Sequence, residues 1–191
     1  MAGDERLRET MAVTMRDFVA VVAKLEPQHW DQPTPCTGWS VFDVVDHVVA
    51  GDRFTTLTLN GSALGAASDA SRGLDTQNPN VEEQVEDAAA AALAAFEGSL
   101  DRIIEHRVGP VPARRVLGFR IIDRLGHTWD LATATGLPAI LDPDALAVGG
   151  DVTRADRTTL ERSPNFATVP DAPDMAGDPL ATFLRASGRM A

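Results

Sequence analysis

Apolar residues recur at helical spacing along most of the chain. In residues 4–25, Leu7, Met11, Met15, Phe18, Val19 and Val22 share one face, which predicts an amphipathic helix ended by Pro27. Residues 27–39, PQHWDQPTPCTGW, carry three prolines and a glycine and predict a loop. Ser40 then reads as an N-cap, with Asp43 in the reciprocal position of a capping box. The helix it opens carries a valine stripe (Val41, Val44, Val45, Val48, Val49) and stops at Asn60-Gly61. Residues 61–80 are rich in Gly, Ser, Ala, Asn and Asp and predict a mobile surface loop.

Asn80 with Glu83 opens a third helix, expected over residues 81–105 with Val85, Ala89, Leu93, Phe96, Leu100, Ile103 and Ile104 on its buried side. Gly109-Pro110-Val111-Pro112 interrupts the pattern. A fourth helix follows over residues 113–135, with Gly136 at its C′ position and Pro138 just beyond. Shorter helices are expected from residue 143 to about 148 and over 154–160, and an extended proline-rich stretch over 163–178. Asp178-Pro179 starts a last helix over 180–186. No period-2 strand pattern of useful length and no internal repeat is found. The chain reads as all-α: a four-helix bundle over residues 1–140, with residues 141–191 as a C-terminal helical and extended appendage packed on it in the same domain.

Composition narrows what such a bundle does. The 191 residues suffice for one core, and 44% are hydrophobic. The net charge of -11 argues against a nucleic-acid partner, which selects a basic face. The opening MAGDERLRET is too charged for a signal peptide, and no stretch reaches the roughly 18 apolar residues of a membrane span. The expectation is therefore a cytoplasmic protein. Cys36 is the single cysteine, which excludes an internal disulfide framework and a cysteine-rich zinc site. Lys24 is the one lysine among 17 basic residues, a bias expected of a GC-rich genome.

Candidate chemistry centres on the fourth helix. Taking Phe119 as zero, Asp123, His127 and Asp130 fall at roughly 40°, 80° and 20° on the helical wheel, in one narrow stripe. A carboxylate four residues before a histidine puts two metal-capable groups one turn apart. With His47 from the second helix, Asp123 and His127 make three N/O donors with room for a further ligand. The same spacing also serves a plain hydrogen bond in which Asp123 orients His127. His47 also reads as a histidine at the edge of the valine stripe. Asp130 reads as an outer acceptor for a ligand or as an acid on a solvated face. Asp52 sits in the middle of the valine stripe, so it pairs with an arginine, lines a cavity, or marks where the helix leaves the core. Arg53 is a candidate for a substrate carboxylate or a surface arginine. Cys36 has no base in its own neighbourhood and reads as a small buried residue. Trp30, Trp39 and Trp129 read as packing residues. His29 lies in the proline-rich loop, and His106 ends the third helix.

Two long motifs carry a family resemblance. The run PTPCTGWSVFDVVDHVVAGDRF (residues 33–54) resembles the loop-plus-helix signature of the actinobacterial mycothiol-dependent maleylpyruvate isomerase-like proteins, within the DinB-like superfamily. RIIDRLGHTWDLATATG (residues 120–136) resembles the metal-binding helix of the same group. VGPVPA and the tail PNFATVPDAPDMAGDPLATFLRASGR resemble its small, uncharacterised branch. The resemblance implies a DinB-like four-helix bundle with a divalent metal on His47, Asp123 and His127. Where the isomerase itself uses glutamate, this chain has Asp123, one methylene shorter, and the isomerase's substrate residues have no counterpart that can be placed.

The function so implied is a thiol-dependent transferase or isomerase. It would hold Zn2+ first, with Ni2+ or another divalent ion as the alternative, and use mycothiol as cosubstrate against an electrophilic small molecule. A non-catalytic metal or ligand-binding module of the same fold is the alternative, and a plain structural helical protein a third. A monomer or homodimer fits each, with no membrane or nucleic-acid partner.

Overall fold

The apolar stripe that begins at Leu7 folds as α1 (Ala2–Val22), which buries Met11, Met15, Phe18, Val21 and Val22. The computed structural model describes residues 2–160 and 177–189. After one 3-10 turn at Pro27–His29, the loop is closed by a bridge between Pro33 and Ser40. Ser40 and Asp43 make the reciprocal capping box: the Ser40 N–H donates to the Asp43 carboxylate at 2.8 Å, and the Ser40 hydroxyl accepts from the Asp43 N–H. The helix they open, α2 (Val41–Leu59), buries all five valines of its stripe. A valine moved from water into such a core contributes about 1.5–3 kcal/mol, so this stripe fixes which face of α2 turns inward.

Residues 61–80 are more ordered than their composition predicts. They contain α3 (Leu64–Ala70), and the strand of chain after it is tied down by side chains. Asp46 accepts from the Leu74 N–H at 2.8 Å, and Gln84 accepts from the Asp75 N–H at 2.7 Å. The next helix, α4 (Val81–Ala95), starts at Asn80 as expected but ends ten residues before the predicted boundary at Glu105. Gly98 adopts a left-handed φ of 85°, which stops the helix, and Arg8 and Arg102 donate to the carbonyls left open at its end. Near the end of the stretch assigned to the missing turns, β1 (Ile103–Ile104) instead pairs with β2 (Val111–Pro112) in a small antiparallel hairpin. Leu100 and Ile104 are buried all the same, whereas Ile103, expected on the same buried side, is 64% exposed because alternate residues of a strand face opposite ways.

The fourth long helix, α5 (Ala113–Thr135), ends at Gly136 with φ 69°, as its sequence predicts. Then come α6 (Pro143–Ala155), longer than expected, α7 (Arg157–Leu160) and α8 (Pro179–Ala186), whose N-cap Asp178 accepts from the Ala181 N–H. The stretch expected to be extended lies almost wholly outside the described residues. Helices α1, α2, α4 and α5 form the bundle: α1 and α2 each pack against both α4 and α5. One core lies between α1, α4, α5, α6 and α8, a second under the valine stripe of α2. The fold is the all-α, DinB-like bundle. Among the described residues no helix is long and apolar enough to cross a membrane.

Candidate metal centre

The interface of α2 and α5 brings His47, Asp123 and His127 together. His47 Nε2 lies 3.3 Å and His127 Nε2 3.4 Å from the same oxygen, Asp123 Oδ1. The three ligand atoms all lie within 4.8 Å of one another. A tetrahedral zinc ion with bonds near 2.0–2.1 Å separates its ligand atoms by about 3.3 Å. Two imidazoles, each near that distance from one carboxylate oxygen and facing a cavity, fit a divalent cation in donor chemistry and in their spacing about Asp123.

Two of the three donors, Asp123 and His127, are held from behind. Asp123 Oδ2 accepts from Arg120 Nη1 at 2.8 Å, so only Oδ1 turns to the imidazoles. Arg120 is itself fixed by the Val48 carbonyl at 3.1 Å and by Asp52 Oδ1 at 2.8 Å. Asp52 is 1% exposed and also takes a bond from Arg124, whose side chain is wholly buried. The polar residue in the valine stripe is thus the counter-ion of two buried arginines. Among the described residues Arg124 Nε and Nη1 have no hydrogen-bond partner, a sign of how little polar matter this layer offers. On the other side of His127, Nδ1 lies 2.9 Å from Asp130 Oδ2. Asp130 is completely buried and takes two bonds from Arg189, at 3.0 and 2.8 Å.

Burial works against charge at every one of these groups, and their neighbours outweigh it. Desolvation would raise the Asp123 carboxyl, yet Arg120, His127 and His47 hold it well below the usual carboxylate range. Desolvation would lower His127, yet Asp123, Asp130 and Cys36 carry it well above the usual histidine value. Asp130, likewise opposed by burial, is brought down to about 2 by His127 and Arg189.

Two residues set aside in the sequence line the same space. Cys36 Sγ donates to Asp130 Oδ2 at 3.2 Å and lies 4.0 Å from His127 Nδ1, so the basic neighbours missing from its loop are supplied by α5. Trp39 stacks on His127 with ring centroids 6.0 Å apart and tilts over His47 at 4.9 Å. It is a wall of the site as well as a packing residue. Cys36, His127 and Asp130 form a second cluster of donor atoms. Its carboxylate is already neutralised by Arg189, which leaves the two-histidine set as the better cation site.

A cavity of about 620 Å³ opens over the centre. Its far wall is aromatic and basic: Arg107 lies 4.2 Å over the Phe54 ring, and His106 sits between Phe54 and Phe119. Burial, with help from Arg107, pushes His106 down to about 4, so it is neutral at physiological pH. Arg53 is turned elsewhere, donating to the carbonyls of Arg72, at 2.9 Å, and Gly73. Asp52 does not line the cavity and reaches Asp123 only through Arg120. Arg120, Arg124 and Arg189 were not legible as site residues; the misfit of Asp52 was the one signal that a buried cation faced it.

Fold and site together define a DinB-like helical bundle with a two-histidine, one-carboxylate centre at the floor of a cavity. Residues 12–132 match the family model of the mycothiol maleylpyruvate isomerase N-terminal domain, and the chain belongs to that family. Two uncharacterized proteins from two strains of Mycobacterium tuberculosis are 31% identical over 127 residues, which span 66% of this chain and 66% of each relative. Among solved structures, a histidine-to-alanine mutant of a mycothiol-dependent maleylpyruvate isomerase superposes with a TM-score of 0.60. That match covers 80% of this chain and 68% of the other at 15% identity, so it speaks for the fold alone.

Proposed function

We propose that this chain is a divalent-metal protein that holds Zn2+ on His47, Asp123 and His127 and uses mycothiol as cosubstrate against an electrophilic small molecule, as a transferase or isomerase. The observation that carries the reading is the spacing of the three donors, 3.3 and 3.4 Å about Asp123 Oδ1, beneath an accessible cavity. The thiol comes from the family to which the chain belongs. When bound, the cation supplies a Lewis acid that lowers the pKa of a thiol or water at an open position.

The protein's own residues do the rest. Asp123 gives the site its negative charge, and Arg120 keeps one carboxylate oxygen turned away so that the other faces the imidazoles. Trp39 limits approach from one side, and Phe54, Phe119 and His106 offer an apolar wall for a flat or unsaturated substrate. Residues 141–191 belong to the same domain in this reading, since α6 packs on α5 and carries α8. A cytoplasmic site of action suits a free, half-buried Cys36 and a low-molecular-weight thiol partner.

Elemental analysis of protein purified without a histidine tag tests the reading. The expected result is close to one zinc per chain, lost in His47→Ala, with a thermal shift on adding mycothiol. Full metal retention by His47→Ala would overturn the ligand set. Zinc and mycothiol binding with no turnover across electrophile panels would point to the non-catalytic module instead.

A further inference from the structure

The C-terminal end of the described chain reaches back to the centre by a defined route. Helix α8 ends in a Schellman motif: the Gly188 N–H donates to the Arg185 carbonyl at 3.1 Å, and the Arg189 N–H to the Leu184 carbonyl at 2.8 Å. Gly188 takes the left-handed φ of 73° that this motif needs. Phe183 and Leu184, both buried, fasten the helix beneath it. The turn aims the Arg189 side chain along the surface of α5, across Gly126. A methyl group built on Gly126 would fall inside the Arg189 guanidinium, so the absence of a side chain there is what lets the arginine pass. Beyond Gly126, the guanidinium meets Asp130 through Nε and Nη2, one bond to each carboxylate oxygen.

We infer that Arg189 is a positioning residue for His127, acting through Asp130 to keep Nε2 as the nitrogen that faces His47 and Asp123. The inference rests on the proposed cation site. A buried carboxylate paired with a guanidinium fork stays an acceptor. Asp130 Oδ2 lies 2.9 Å from His127 Nδ1, so that nitrogen carries the hydrogen and the other is left for a ligand. The partner that settles the orientation of His127 therefore comes from 59 residues beyond Asp130 in the chain. Lysine in place of Arg189 would keep a charge but not the fork.

Three variants of the full-length protein test this. Arg189→Ala removes the fork. Gly126→Ala displaces it without touching Asp130 or His127, and alanine is the better helix former, so α5 is kept. Arg189→Lys restores the cation alone. Zinc affinity, measured by competition with a chelator, is expected to fall roughly tenfold in the first two, the lower end for outer partners of metal-bound histidines, with partial recovery in the third. The visible spectrum of the Co2+ form is expected to change in the first two as well. In the metal-free protein, the Arg189 Nε–H is expected to give a slowly exchanging side-chain NMR signal that Gly126→Ala removes. Wild-type zinc affinity in Arg189→Ala and Gly126→Ala, or a freely exchanging Arg189 Nε–H in the wild type, would overturn the inference. Failure of the wild type to bind zinc would overturn the proposed function, while the NMR signal still decides whether the clamp exists.

Discussion

Replacing Asp52 by asparagine removes one charge from the layer behind the candidate metal centre. Asp52 accepts two bonds from Arg120 on Oδ1, at 3.2 and 2.8 Å, and one from Arg124 on Oδ2. Arg124 is wholly buried, and among the described residues its Nε and Nη1 find no hydrogen-bond partner; Arg120 retains Asp123 and the Val48 carbonyl. The amide keeps the shape of the carboxylate but offers a donor where two guanidinium groups already donate. Breaking a buried ion pair by removing one partner costs about 3–5 kcal/mol. For a chain of 191 residues that corresponds to a fall in Tm of about 6–20 °C. Urea titration monitored by circular dichroism, with the exposed Asp87→Asn as control, gives the number directly. A loss below about 1 kcal/mol, no larger than the control, would refute the view that Asp52 neutralises both arginines. Because Arg120 orients Asp123, the same variant is expected to weaken zinc binding without changing any ligand.

Two further predictions concern protons. His106 is held at about 4, below its unfolded value near 6.5, so the unfolded chain takes up the proton first as pH falls. Between those two values the folded state loses stability, about 1–2 kcal/mol after allowance for partial exposure, and His106→Leu is expected to remove that part of the slope in urea titrations across the range. A slope unchanged in the variant would show that His106 is not the group responsible. His127 is carried the other way, opposed by burial but raised by Asp123 and Asp130, so a cation at Nε2 must displace its proton. Calorimetry in buffers of different ionisation enthalpy is expected to show about one proton released per zinc near pH 7, and release indistinguishable from zero would show that Nε2 of His127 carries no proton to displace.

Local chemistry made much of the fold legible. Ser40 with Asp43, Gly136 and Asp178-Pro179 mark helix ends by bonds made within a few residues, and the structure places those ends there. The third helix was extended too far because Leu100 and Ile104 are buried either way, and apolar spacing does not tell a helix from a hairpin over so short a stretch. For the site, the spacing on α5 and the family motifs singled out His47, Asp123 and His127, and the bundle brings their ligand atoms together. What stayed hidden depends on packing between distant segments. Arg120 and Arg124 gain meaning only from Asp52 across the helix interface, Cys36 only from α5, and Arg189 only from a turn that ends α8.

The chain has three tryptophans and no tyrosine, so its ultraviolet emission comes from indole alone. One of those indoles, Trp39, stands against both imidazoles of the centre. A protonated imidazole in contact with an excited indole accepts an electron and quenches it, and an imidazole whose proton has been displaced by a cation does not. The centre therefore carries its own fluorophore: zinc binding should brighten the protein without any added dye, and Trp39→Phe should leave the remaining emission indifferent to the metal.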